Sequence, residues 1–341
     1  WLLLLPSDFV DFAQSLIANP LFVANFLFWM ERGYFGVATE LKPLIHTWSL
    51  SVEEQFYVFF PLIFTFVWKK TFLLYALLSL TIIGSLTASY VITNLHFDTA
   101  FYLLPTRAWE LLIGTCAALL LRKNIPALKA NKKINDGLSF LGLFLILVAV
   151  FSFNNSTPFP GLYALVPATG TWLVIVFSEK SNYAKAFLGT HVLVFLGLIS
   201  YSAYLWHQPI FSFYEHSGIT LSGPIVYLGL GLLSIFLGFL SWKYVEQPFR
   251  NRSFLTKATI FKLSISFSMI FITLGSIGYF MNGFPNRYGV EDRTLLTQFI
   301  DVTDYTQRRF DSLELKTFSK DNKPKLLIIG DSFAKDVVNA V

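Results

Sequence analysis

Apolar residues in this 341-residue chain come in long blocks rather than at amphipathic intervals. Blocks suited to a hydrocarbon layer of about 30 Å recur at 71–93, 100–121, 138–153, 160–177, 192–213, 224–245 and 260–281. A shorter one covers 55–68, starting as early as Ser49. The pattern predicts an all-α polytopic membrane protein with about eight complete transmembrane helices. Residues 6–54 are mixed and aromatic, and their apolar patch at 21–30 is too short to cross, so it is expected to lie in the interface or to re-enter.

The pattern changes after residue 282, where 286–325 is polar, charged and poor in aromatics. A strand-like run from Lys325 then meets the turn Gly330-Asp331-Ser332 and a helical pattern. A strand, a glycine turn and a helix form the context that exposes a serine nucleophile at the end of a parallel sheet. The opening Trp1 to Pro6 has no basic n-region or cleavage motif and reads as the tail of a span cut upstream. The other end stops as a new unit begins, so the chain is expected to be an internal fragment of a longer protein.

Composition supports the membrane reading: 54% of residues are hydrophobic, 18% aromatic and only 14% charged. A single cysteine, Cys116, excludes an intramolecular disulfide and a cysteine-based metal site. The five histidines are scattered, and no cluster has the spacing of metal ligands.

Charge orients the spans. Lys69-Lys70 and the loops 122–137, 178–191 and 246–259 carry Lys and Arg, whereas 94–99, 154–159 and 214–223 carry none. By the positive-inside rule the basic set is cytoplasmic, which puts His46 and everything after Met281 on the outer side. The net charge of +5 is then spent on cytoplasmic anchors, and no basic groove is left for nucleic acid.

Polar groups inside the apolar blocks are the candidate chemistry, because each is costly unless paired or wet. The stretch from Pro43 to Tyr57 holds His46, Trp48, Ser49, Ser51, Glu53, Glu54 and Gln55 at the mouth of a span. Its structural reading is a helix start, with Ser49 or Ser51 as cap and Glu53 and Glu54 answering the dipole. Arg107 and Glu110 stand one turn apart, as an ion pair locking two helices or as an anion site. Tyr204 and His207 share a turn just before Pro209, which is expected to kink or end the helix. Glu246 and Arg250 lie at a cytoplasmic span end and read as an interfacial salt bridge.

Taken together, His46 to Tyr57, Arg107-Ala-Trp-Glu110, Ser202 to Pro209 and Tyr244 to Arg250 resemble the membrane acyltransferase family 3. More narrowly, the chain resembles bacterial members fused to a C-terminal SGNH-type domain that O-acetylate lipopolysaccharide O-antigen or peptidoglycan. Gly330-Asp331-Ser332 is similar to the first block of that α/β esterase fold. The resemblance implies about eleven membrane helices in the intact chain. It implies a membrane acyltransferase domain over 1–259, a linking helix at 260–281, an extracytoplasmic extension at 282–323 and a truncated SGNH domain from 324–341.

The resemblance further implies acetyl-CoA as donor substrate with no bound cofactor, a surface glycan as acceptor, and residence in the bacterial inner membrane with the C-terminal region outside. Ser332 would be the nucleophile, beside Asp331. His46 and Glu53 would handle protons or position the acyl group, and His207 and Tyr204 would be cavity donors. Arg107 with Glu110, Trp48 and Ser49 would bind substrate or acyl oxygens. A transporter of acyl groups or small molecules remains the alternative, since ionisable residues and proline-broken spans suit a carrier equally. A scaffold in a polysaccharide-export assembly is a third.

Overall fold

The computed structural model describes residues 1–31, 41–122, 131–154, 156–219, 221, 223–250, 256–290 and 292–293. Among the described residues every regular element is helical and no strand occurs. The strand-like run from Lys325, with Asp331 and Ser332, lies outside the described residues.

The chain begins with α1 (Pro6–Ala18) and the short α2 (Ala24–Met30), the latter matching the patch too short to cross. Then come α3 (Trp48–Thr65), α4 (Thr71–Leu95), α5 (Phe97–Tyr102) and α6 (Leu104–Arg122). After these follow α7 (Lys132–Ser152), α8 (Leu165–Phe177) and α9 (Tyr183–Leu188). The last are α10 (His191–His216), α11 (Pro224–Ser241), α12 (Gln247–Arg250) and α13 (Lys257–Phe280).

Among the described residues six stretches are long and apolar enough to cross a membrane: Thr71–Leu95, Phe97–Arg122, Lys132–Ser152, Leu162–Lys180, Pro224–Arg250 and Lys257–Phe280. Six of the eight apolar blocks expected from the sequence meet this measure. The other two, α3 and α10, are helices of 18 and 26 residues whose polar side chains lower their apolarity below that of a lipid-facing span. Both also contain a proline, Pro61 and Pro209. Pro209 does not end α10, which runs on to His216.

Lipid supplies no hydrophobic drive between helices, so close packing rests on small residues and shared hydrogen bonds. Gly142 of α7 faces Gly170 of α8, and a Cβ on either would stand within 2.7 Å of the other's carbonyl oxygen. Gly238 of α11 packs the same way on the backbone of Ala203 in α10. The buried Ser85 hydroxyl of α4 donates to the Pro105 carbonyl at 2.6 Å and accepts from the Trp109 amide at 3.1 Å, stitching α4 to the first turn of α6. That stitch holds Arg107 and Glu110 at a fixed height beside it.

The described residues fall into two compact units. One contains Trp1–Gln14 and the described residues from Leu274 onward. Within it the Arg287 guanidinium donates to the Trp1 and Leu4 carbonyls, and Phe284 packs on Trp1 and Phe9. Gly283, at φ +68°, lies where any Cβ would run into the Pro6 carbonyl, so both the dihedral and the close approach call for glycine. The other unit, Ser15–Thr273, holds all the polar groups described next.

Candidate functional site

A single 3₁₀ turn, Ile45–Thr47, feeds directly into α3. It takes over the helix start, so neither Ser49 nor Ser51 is a cap, and Glu53 and Glu54 fall outside the first turn. The helix-cap reading of these residues is thereby corrected. Their hydroxyls are spent on other elements instead: Ser51 accepts from the Ala24 amide at 3.3 Å, and Ser49 pairs with the Tyr204 hydroxyl at 2.7 Å. Gln55 donates to the Phe22 carbonyl and to Asn25 Oδ1, both at 2.8 Å, which ties α2 to α3.

His46 projects from that turn and is 7% exposed. Helix α10 closes over it. The Tyr204 hydroxyl donates to the His46 carbonyl, and the rings of Tyr204 and His207 stand edge-on to the imidazole at 5.1 and 5.2 Å between centroids. Further along α10, Gln208 donates to the Lys42 carbonyl at 3.2 Å and Ser212 to the Leu41 carbonyl. Four side chains of one helix therefore clamp the loop that carries His46. Neither clamp beyond His207 was legible from motif spacing, because both partners are backbone oxygens.

Both ring nitrogens of His46 are buried with no hydrogen-bond partner among the described residues. A buried polar atom in that condition is expensive in a merely structural role. Burial holds the imidazole down at about 4, and the neighbouring His207 adds to the fall. At neutral pH the ring is therefore uncharged, with one nitrogen able to accept a proton and the other to donate one. His207 Nδ1 lies against the Tyr204 carbonyl, which puts its proton on Nδ1 and leaves Nε2 as the basic nitrogen. Glu53 stands one helical turn beyond Ser49 on α3. His46, Ser49, Tyr204 and His207 thus form one cluster, with Glu53 at its edge.

Arg107 and Glu110 make the ion pair their spacing predicts, Nη2 to Oε2 at 2.8 Å. The guanidinium lies over Trp48 at 5.1 Å, Phe101 at 5.6 Å and Phe159 at 5.7 Å, a stacked setting that suits its planar charge. Trp48 is the link between the two centres, two residues after His46 and packed on Arg107, Phe101 and Tyr102. Arg107 Nη1 and Glu110 Oε1 have no partner among the described residues.

At the end of α11 a π-turn, Trp242–Glu246, carries the fourth motif. Glu246 bonds Arg250 at 3.2 Å, as expected of a salt bridge. It also accepts from the buried Ser202 hydroxyl of α10 at 2.9 Å, so the motif braces the helix that bears Tyr204 and His207. π-turns of this kind recur at functional sites.

Between α6 and α8 a cleft of about 260 Å³ opens beside Glu110, walled by Gly114, Phe159, Pro167, Thr171 and Trp172 among others. Apart from Glu110, no residue of it was marked by the sequence. Trp172 and Thr171 sit in an apolar block with no recurring spacing, and Phe159 lies in a short uncharged loop. Among the described residues no group of three His, Cys, Asp or Glu comes together.

Apolar helices long enough to cross a membrane, together with a buried cluster of imidazoles, a phenol and a stacked arginine, define a multi-pass membrane protein with acid–base groups held in its interior. The chain belongs to the membrane acyltransferase family, whose acyltransferase domain matches residues 3–243. A protein of Staphylococcus aureus (strain COL) provisionally named an O-acetyltransferase is 27% identical over 373 residues, 98% of this chain and 60% of the relative. A counterpart from strain MRSA252 is 27% identical over 377 residues, with the same coverage. The O-acetyltransferase OatA of S. aureus (strain NCTC 8325 / PS 47) is 27% identical over 265 residues, 73% of this chain and 43% of the relative. The chain thus spans about 60% of the length of the first of these curated relatives. No solved structure matches it.

Proposed function

We propose that the full-length protein is an O-acetyltransferase that carries acetyl from cytoplasmic acetyl-CoA to a hydroxyl of a cell-surface polysaccharide, lipopolysaccharide O-antigen or peptidoglycan. Family membership and the names of its relatives support the transfer chemistry. The observation that carries the reading is the buried, neutral His46 with both ring nitrogens unspent, flanked by His207 and Tyr204.

The reaction breaks the thioester C–S bond, forms an ester C–O bond and moves the hydroxyl proton to the departing thiolate. It needs a base for that proton and donors for the tetrahedral oxyanion. His46 or His207 Nε2 is the base, and Tyr204 with Ser49 holds the imidazole in place. Arg107, fixed by Glu110, offers its free N–H to a carbonyl or phosphate oxygen. Glu53 acts electrostatically on Tyr204 in this scheme. Ser332, next to Asp331 in an SGNH-type domain, takes the acetyl group as an ester on the outer side and passes it to the sugar.

On this reading residues 1–259 are the membrane acyltransferase domain, 260–281 the linking helix and 282–323 an extension that leads outside. The protein resides in a bacterial cytoplasmic membrane as a multi-pass chain. The test is the base-labile O-acetyl content of surface polysaccharide, read by NMR. The cells lack the native gene and express full-length wild type, His46→Ala or Ser332→Ala at matched levels. Loss of the signal in both variants is expected. Retention in both would sink the proposal and favour a carrier that leaves transferase chemistry to another protein.

A further inference from the structure

The cleft between α6 and α8 lies outside the imidazole cluster, and the acyl-transfer scheme gives it no task. Its volume, about 260 Å³, falls just below the range of roughly 300–1,000 Å³ typical of drug-sized ligands, so it suits one ring-sized unit. Its wall is mostly apolar, with the Trp172 and Phe159 rings as its flat faces and the Glu110 carboxylate and Thr171 hydroxyl as its polar points.

The carboxylate decides what kind of ring fits. Arg107 meets one Glu110 oxygen at 2.8 Å, and the other has no partner among the described residues. That second oxygen is already buried, and an acyl chain or lipid tail in the cleft would leave it without a partner. A polyhydroxylated ring answers both needs. Its hydroxyls donate to the carboxylate, and its C–H faces lie on an aromatic plane without wasting polar atoms.

We infer that this cleft is an acceptor subsite that seats one pyranose ring of the glycan, with a ring hydroxyl on Glu110 and a C–H face on Trp172 or Phe159. The inference rests on the O-acetyltransferase reading for its substrate class. The ring bound here is held for position and is not the one acetylated. Arg107 connects it to the chemistry, because the side chain that fixes Glu110 also stacks on Trp48, two residues from His46.

Two variants of the full-length protein test it, purified in lipid nanodiscs with acetyl-CoA as donor. The acceptor is the host's surface oligosaccharide, de-O-acetylated with mild base. Trp172→Ala removes a stacking face. Gly114→Leu fills the cleft instead: a Cβ on Gly114 meets nothing within 4 Å, and replacing a helical glycine favours the helix, so this variant keeps its fold. Both are expected to raise the acceptor KM at least tenfold while the KM for acetyl-CoA stays within twofold. Direct calorimetric binding of the oligosaccharide should weaken in parallel. An unchanged acceptor KM in Gly114→Leu, or a shift in the acetyl-CoA KM instead, would overturn the subsite. If wild type binds the oligosaccharide but transfers nothing to it, the functional reading fails while the binding arm still decides the cleft.

Discussion

Helices α7 and α13 differ from α3 and α10 in a way that hydropathy alone inverts. The first pair are apolar enough to cross a membrane, and only 17% and 6% of their apolar windows are buried inside the protein. They present Phe144, Phe151, Phe261 and Phe280 outward, to a lipid environment. The second pair fall short of that apolarity because each spends side chains on the interior: Ser49, Ser51 and Glu53 on α3, Ser202, Tyr204, His207 and Gln208 on α10. These two helices thus build the imidazole cluster together with the turn that carries His46, while Arg107 and Glu110 reach the site from the apolar stretch Phe97–Arg122. In a membrane, polarity inside a helix is retained where it is paired or used.

That contrast yields an ordered set of expectations. Replacing His46 with Ala should produce the largest loss, roughly 100-fold or more in acetyl transfer by the full-length protein, because proton transfer by a positioned base is worth about that much. Arg107→Ala comes next. It leaves the Glu110 carboxylate without its cation, so a destabilisation of about 2 kcal/mol and a roughly 30-fold loss of transfer are expected in thermal-melt and rate assays. Arg107→Lys should not restore either, since an ammonium cannot lie flat against Trp48 and Phe101. Tyr204→Phe deletes only the hydroxyl that bonds Ser49 and the His46 carbonyl, and a loss of about tenfold is expected from the looser imidazole.

A pH scan of the melting temperature sharpens the same contrast. The folded protein protonates His46 only near about 4, whereas an unrestrained imidazole takes its proton at 6.5. Between those values the unfolded chain binds more protons, so the His46 contribution favours folding fully above 6.5 and is lost as pH falls toward 4. Wild type should therefore melt progressively lower over that window, and His46→Ala should flatten the slope. The smallest effect belongs to the other class of helix: Phe72→Leu on α4, at a position 82% exposed, should change stability by less than about 0.5 kcal/mol and transfer not at all.

Parts of this arrangement are legible in the sequence. The Arg107–Glu110 pair follows from helical spacing, and the apolar blocks mark, to within a few residues, the six stretches apolar enough to cross a membrane among the described residues. Loop charge put His46, Tyr204 and His207 toward one side of the membrane, but nothing in spacing shows that a hydroxyl at 49 meets one at 204. That meeting depends on how α10 packs, and helix packing is written in small residues such as Ala203 and Gly238, which carry no periodic signal. The cap reading of Ser49 and Ser51 failed for a related reason. Local chemistry favours a serine at a helix start, and tertiary partners on α10 and α2 claimed both hydroxyls. The cleft was invisible because Trp172 and Phe159 are ordinary apolar residues until Glu110 is brought beside them.

The most direct test of the central claim, that proton transfer is carried by the polar cluster of His46 and α10 and not by lipid-facing side chains, is a rate comparison on purified protein. Full-length wild type, His46→Ala and Phe72→Leu would be reconstituted in nanodiscs and given radiolabelled acetyl-CoA, with label on the acceptor oligosaccharide followed over time. His46→Ala should fall at least 100-fold with its melting temperature preserved at pH 7.5, while Phe72→Leu tracks wild type. A folded His46→Ala variant that transfers acetyl within threefold of wild type would contradict the account.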